Sequence, residues 1–452
     1  MRNFRIGSGL VLVLVIFVLA GIACTNYTIP GKDDGGNGNG NGNGTEHSCE
    51  ECHTDYERLM EVHTPDSVAA DTVYGVVVPH YEPYDRVFLS GEGFDAFKAS
   101  GHYALGCTGC HHGDSKSEEK DLAHSGDFIK HPSLLYEEKC GTCHKEITDN
   151  FTTSIHQGTG QKRSVAMRSG LNGPDEFDQL PAHQIEGYNN NCASCHGTCG
   201  NCHVVRPAMG GGGLAAGHNF NKTPDNDVCL TCHTTKGNPP GTQPDLHVAN
   251  LDYNCLTTCH DGLELHGNGQ VVEQRYAYEE LPKCEDCHEG LETKNDYHSQ
   301  HFDTFNCHVC HSQDYNNCGS CHINGEGTRI PSYLGFKIAT NPLPDIKAGY
   351  DFALVRRTAA APDNWKEYGV EAYSSFEALP TYNYTTPHNL LRWTERTQVE
   401  SGFCGNNCHI RKVGDSLINK ELYLFQADLL EWELEATGPL TVDGQLPSYW
   451  PN

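Results

Sequence analysis

The hydrophobic pattern marks only a few segments of the chain as regular elements. Leu10 to Ala20 (LVLVLVIFVLA) is an apolar run of 11 residues behind Arg2 and Arg5. It is too short to span a bilayer and reads as an export signal over residues 1–23. Residues 24–48 contain a Gly-Asn repeat with nothing apolar to bury, which predicts a flexible tether with a coil dimension of about 25–30 Å. Gly335-Phe-Lys-Ile and Asp351-Phe-Ala-Leu-Val are strand-like, within an aromatic- and Pro-rich stretch at 323–403. Leu417 to Leu434 (LINKELYLFQADLLEWEL) has mixed apolar spacing that predicts a packed helix.

Composition argues against an ordinary apolar core, with 48 Gly and 23 Cys in 452 residues. The formal charge of −28 becomes −30 once Arg2 and Arg5 leave with the signal. Such a chain does not bind nucleic acid by neutralising phosphates. It favours cationic proteins or positively charged surfaces, and acidity also keeps an exported protein soluble.

The cysteines pair without remainder. Nine motifs have the form Cys-x-x-Cys-His: Cys49/Cys52/His53, Cys107/Cys110/His111, Cys140/Cys143/His144, Cys192/Cys195/His196, Cys199/Cys202/His203, Cys229/Cys232/His233, Cys284/Cys287/His288, Cys307/Cys310/His311 and Cys318/Cys321/His322. Two are one residue wider, Cys255/Cys259/His260 and Cys404/Cys408/His409. The twenty-third cysteine, Cys24, ends Gly21-Ile22-Ala23-Cys24, which resembles a lipoprotein signal with Cys24 as the lipid acceptor. Thr25 in place of Asp then points to the outer membrane.

Exported cysteines ordinarily imply disulfides. Neither a disulfide framework nor a zinc knuckle requires a histidine after every second cysteine, whereas covalent haem attachment does. Two thiols one short turn apart add to the vinyl groups of one porphyrin, and the next imidazole reaches its iron. The expectation is eleven c-type haems. At an average of 39 residues per motif over 24–452, loops and short helices wrap a chain of haems, which supply much of the buried apolar area. Residues 49–187 carry three motifs, 188–325 seven and 326–452 one.

Sixteen further histidines are available for the second axial position, while only Met60, Met167 and Met209 follow the signal. This economy predicts bis-histidine, low-spin iron at all or nearly all sites. The distal candidates are His63, His80, His102, His124, His131, His156, His183, His218, His247, His266, His298, His301 and His388. His47, His112 and His308 touch a motif too closely to serve their own haem well. His388, in Thr386-Pro387-His388-Asn389, is the expected ligand for the isolated eleventh haem.

Cys192-Ala-Ser-Cys-His-Gly-Thr-Cys-Gly-Asn-Cys-His203, Gly217-His218, Asp245-Leu-His247, Glu264-Leu-His-Gly267, His298 with His301, Cys307-His-Val-Cys-His-Ser-Gln313 and Tyr315-Asn-Asn-Cys-Gly-Ser-Cys-His322 carry a family likeness. Over roughly residues 185–410 the chain resembles multihaem cytochromes c of sulfur- and metal-respiring bacteria, some of which act in extracellular electron transfer. The resemblance implies that His218, His247, His266, His298, His301 and His388 are distal ligands. The two wide motifs and His308 depart from the commonest pattern.

The function expected first is an electron carrier, not an enzyme: an outer-membrane lipoprotein passing electrons to an extracellular acceptor such as a metal oxide. Its partners are other redox proteins, including an outer-membrane porin–cytochrome conduit. The alternatives are a multihaem reductase of a small nitrogen or sulfur compound, which needs one five-coordinate haem, and a subunit of a haem filament.

Overall fold

The computed structural model describes residues 47–66, 72–73, 76–77, 80–191, 197–205, 213–214, 218, 220, 224–233, 242–272, 274–279, 281–315, 336–357, 361–363, 365–397 and 405–445. The expected signal, the expected lipid site Cys24 and the tether lie outside these residues. So do two of the expected haem-binding motifs, Cys192 and Cys195 with His196, and Cys318 and Cys321 with His322. Cys404, the first thiol of the eleventh motif, lies outside them as well. Among the described residues, no helix is long and apolar enough to cross a membrane.

Regular elements are short. The longest described helices, Thr159–Arg168 and Ala182–Asn191, have ten residues each. The first opens after Gly158, whose φ of 87° ends the preceding turn in a conformation that costs a glycine little. These two helices and the turn Pro174–Gln179 form an apolar cluster with Trp365, Tyr373 and Phe376. A segment between the third and fourth motifs thus packs on the C-terminal region.

Among the described residues, seven strands occur in three separate antiparallel sheets: β1 (Thr72–Val73) with β2 (Val76–Val77), β3 (Phe336–Thr340) with β4 (Phe352–Arg357) and β5 (Tyr382–Tyr384), and β6 (Arg411–Val413) with β7 (Ser416–Ile418). In the largest, Phe336 pairs with Arg356, Thr340 with Phe352, and Val355 with Tyr384. Alternation sends Phe336, Ile338 and Leu354 to one face, where they meet Val309 and Tyr315. Ala339, Val355 and Tyr382 pack on the other face against Leu424. Bridges Phe305–Phe352 and Ser312–Leu390 then fasten both ends of the ninth-motif helix Cys307–His311.

The segment expected as one helix over Leu417–Leu434 is broken. It begins in β7, turns at Asn419 (φ 64°) and continues as the 3-10 turns Lys420–Leu422, Gln426–Asp428 and Glu431–Glu433. The sheet competes for its backbone: Leu424 N–H donates to Ile338 O at 2.9 Å, and Val442 N–H donates to Leu424 O at 2.8 Å. The Asp428 carboxylate takes the Phe425 N–H at 2.9 Å, a local bond that competes with helix.

Glu433 closes this region. Its buried carboxylate accepts from Arg357 Nε at 2.8 Å and from the Arg357 terminal nitrogen at 2.7 Å, with Thr381 Oγ1 and Leu430 N–H also donating. Removing one partner strands a buried charge. Glu433→Ala is expected to lose about 3–5 kcal/mol, read as a lower guanidinium midpoint. A loss under about 1 kcal/mol, the range of a surface pair, would contradict that role.

Candidate functional site

The regular motif is built by one helical turn. His144, His233 and His288 each donate their backbone N–H to the carbonyl of their own motif's first cysteine, four residues back, at 2.8–2.9 Å. In the wide seventh motif, Cys255–Cys259 forms a π-helical turn, and His260 N–H reaches Cys255 O, five residues back, at 2.7 Å. The extra residue is absorbed while the histidine keeps the same relation to its first cysteine.

Each of the nine motif histidines among the described residues has a second imidazole at a nearly constant ring-centre distance. Numbering sites by motif, the pairs are His53–His124 (site 1, 6.1 Å), His111–His218 (site 2, 6.2 Å), His144–His102 (site 3, 5.9 Å) and His203–His266 (site 5, 6.2 Å). They continue as His233–His156 (site 6, 6.1 Å), His260–His388 (site 7, 6.2 Å), His288–His247 (site 8, 6.1 Å), His311–His298 (site 9, 6.1 Å) and His409–His301 (site 11, 5.9 Å). Two imidazoles bound trans to one metal through nitrogen bonds of about 2 Å have centres about 6 Å apart once the ring radius is added. Aromatic pairs in cores span similar distances. Here, however, every described motif histidine takes one such partner, and all eighteen rings line a common cavity.

That cavity measures about 4040 Å³, several times the roughly 300–1,000 Å³ of a single ligand pocket. Leu134 and Leu251, on its wall, are 64% and 56% exposed, apolar surface that a large planar group would cover. Ten Lys or Arg and seven Asp or Glu line it, in a chain with 31 of the former and 59 of the latter. This cationic bias suits propionates. The fit to porphyrin is therefore in spacing, volume, apolar lining and charge. Among the described residues, no cluster of three or more His, Cys, Asp or Glu is arranged around a bare metal ion.

Local bonds aim the imidazoles. The Nδ1 atoms of His53, His111 and His311 meet the carbonyls of Val87, Ile129 and Leu391 at 3.0, 2.9 and 3.1 Å. Those of His124, His298, His301 and His388 meet Lys120, Leu291, Tyr297 and Thr386 carbonyls at 2.8–2.9 Å. Such bonds fix the tautomer and leave Nε2 for a metal. Burial also lowers the pKa of His53, His102, His111, His156, His203, His266, His311 and His409, and takes His218 down to about 4. The neutral, ligating form is favoured.

The sites form a file. His218 of site 2 lies close enough to His53 of site 1 for their charges to interact. Phe97 stands 5.3 Å from His218, and Phe220 stacks on His102 of site 3 at 4.4 Å. The first thiols of sites 3 and 5 (Cys140, Cys199), 6 and 7 (Cys229, Cys255), and 8 and 9 (Cys284, Cys307) share hydrogen bonds. Cys202 lies near Cys229, and Cys259 near Cys287, joining 5 to 6 and 7 to 8. Helix Asp296–His301 carries His298 of site 9 and His301 of site 11 on adjacent positions of one face.

Four candidates fall outside these pairs. His63 and His131 line the cavity, with His63 Nδ1 on Met60 O at 2.6 Å. His80 faces Asp66 and Glu82 at 3.9 and 3.6 Å, and His183 is exposed beside Gly369. His112 is held between Asp127 (2.7 Å) and Lys139 (2.6 Å), while His308 lines the cavity. His388, expected at the eleventh motif, lies at the seventh, and His301 faces His409 instead. The cause is Asp245, fully buried, whose carboxylate accepts from His247 N–H at 2.7 Å and from Leu390 N–H, drawing the Thr386–Leu390 loop onto the residues before site 7.

Sequence reasoning gave Asp245 and Glu264 no role beyond their place in the family likeness, and passed over Phe97 and Phe220. A signal existed for the first two, since Asp-Leu-His247 and Glu-Leu-His266 each place a carboxylate two residues before a distal candidate. No protein-family model, curated protein or solved structure matches the chain.

Proposed function

We propose that this chain is an exported electron-transfer protein that binds eleven c-type haems with paired histidines and passes electrons along them to an extracellular acceptor. The carrying observation is the set of nine imidazole pairs, 5.9–6.2 Å between ring centres, around one cavity. A bound haem supplies a one-electron ferric/ferrous couple. The protein's part is to attach it through two thiols, to fill both axial positions, to surround it with apolar walls and cationic side chains, and to keep successive sites adjacent. With a histidine on each side of the iron, reorganisation on reduction would be small and no substrate position would be left at these nine sites. The signal at 1–23 and Cys24 support an outer-membrane lipoprotein facing the cell surface or the periplasm, with other redox proteins as partners. A reductase reading has no supporting observation among the nine.

Mass spectrometry of the mature protein is the direct test. The expected result is eleven covalent haem additions, sharp low-spin bands after dithionite, and no carbon monoxide uptake at the paired sites. A bare polypeptide mass would refute the proposal. The ring planes refine the expectation. Sites 3, 5 and 7 have imidazoles within 16–23° of parallel, whereas the other six are crossed by 56–82°. Parallel rings split the iron π-orbitals that crossed rings leave nearly degenerate. Low-temperature electron paramagnetic resonance is expected to resolve two low-spin classes, the strongly anisotropic one the larger. A single class would contradict the ring geometry.

A further inference from the structure

Site 7 is chemically unlike sites 1, 2 and 9. At those three, the motif histidine's Nδ1 meets a neutral backbone carbonyl. At site 7, His260 Nδ1 meets Glu264 Oε2 at 2.6 Å. The carboxylate is buried, its side chain 10% exposed. It is set in place by the short helix Gly262–His266, where Glu264 N–H donates to the Asp261 carboxylate at 2.8 Å. No Lys or Arg ion pair to Glu264 occurs among the described residues; the His260 imidazole is its hydrogen-bonded partner, and His156 of site 6 also lies near enough to feel its charge. The same motif has the extra residue and the π-helical turn. Two departures from the regular pattern therefore coincide in the middle of the file.

A carboxylate accepting the Nδ1 proton draws it away from the ring and makes the imidazole a stronger donor to a metal on Nε2. A stronger donor stabilises the ferric over the ferrous state and lowers the potential. We infer that Glu264 lowers the reduction potential of site 7 and so divides the file into two electron pools, sites 1, 2, 3, 5 and 6 before it and sites 8, 9 and 11 after it. The inference rests on the proposed haem binding. Glu264 acts through His260 and is a positioning residue. An electron moving from site 6 to site 8 then meets a step at site 7, so each pool equilibrates within itself faster than across the step.

The test compares full-length, haem-loaded wild type with Glu264→Gln by potentiometric titration of the visible bands and by electron paramagnetic resonance. Gln keeps an acceptor oxygen on Nδ1 and removes the charge. One one-electron component is expected to move to higher potential by the most, with a smaller shift in the same direction at site 6, whose His156 also feels Glu264, and haem content unchanged. One near-parallel low-spin signal is expected to shift with it. Glu264→Asp, which draws the carboxylate back, is expected to shift the same component less, in the same direction. Superimposable titrations for wild type and Gln would overturn the inference. Loss of one haem from the Gln variant would also overturn it, assigning Glu264 to assembly of the site instead. Wild-type protein without haem would refute the proposed function itself, a result distinct from either.

Discussion

Made without haem attachment, the full chain is expected not to fold. Its buried apolar side chains concentrate around Val165–Tyr188 and Phe336–Leu424, whereas much of the motif-bearing chain surrounds a cavity of about 4040 Å³. Left without haem, that space exposes its apolar walls, Leu134 and Leu251 among them, to water instead of burying them. Net stabilities are about 5–15 kcal/mol, so losing that burial at nine sites removes the margin. The measurement is limited proteolysis with near-ultraviolet circular dichroism on protein produced with and without the attachment machinery. The haem-free chain is expected to be cleaved throughout residues 47–144 and 199–301, the motif-bearing parts outside the Val165–Tyr188 cluster. A protected haem-free core spanning those residues would show that the polypeptide holds itself together.

The second large effect concerns the pairing across site 7. His388→Ala is expected to create one high-spin haem per molecule that takes up carbon monoxide at one equivalent, where wild type takes up none at the nine paired sites. The loop carrying His388 stays in place, because the buried Asp245 carboxylate holds Leu390 N–H and Ser312 bridges Leu390. What is lost is the imidazole 6.2 Å from His260. His112→Ala is the control, since both His112 ring nitrogens are taken by Asp127 and Lys139, and is expected to bind no carbon monoxide. Uptake by the control, or none by His388→Ala, would mean that the pairing is wrong.

Much of the candidate site was legible because its chemistry is local. Two thiols and an imidazole on one turn form a motif within five or six residues, and the eight fully described examples, with Cys408 and His409 of the eleventh, line one cavity. The strands at Phe336 and Phe352 were legible because a short apolar run between turn residues has few other uses. The pairing of histidines was not, since it depends on sequence-distant contacts. His218 lies 107 residues beyond His111, and the packing of Phe97 and Phe220 on His218 is part of what brings them together. His388 was expected at the eleventh motif by nearness in sequence, and a buried carboxylate at Asp245 overrode nearness. The segment Leu417–Leu434 has the composition of a helix, yet Leu424 makes its backbone bonds to β3 and Val442. Tertiary hydrogen bonding outweighed intrinsic propensity there.

Under the proposed haem binding, the fastening of the ninth motif ties its loading to parts of the chain made later. Its helix, Cys307–His311, is locked by Phe352 at one end and Leu390 at the other, residues synthesised about 40 and 80 positions later. Until those arrive, the two thiols sit on a chain with no platform behind them and remain open to an attaching enzyme. Once β4 and the Leu390 loop dock, Val309 is sealed against the sheet while both thiols stay on the cavity wall. The late-made sheet gives the loaded turn its platform, so attachment and docking at this turn are coupled.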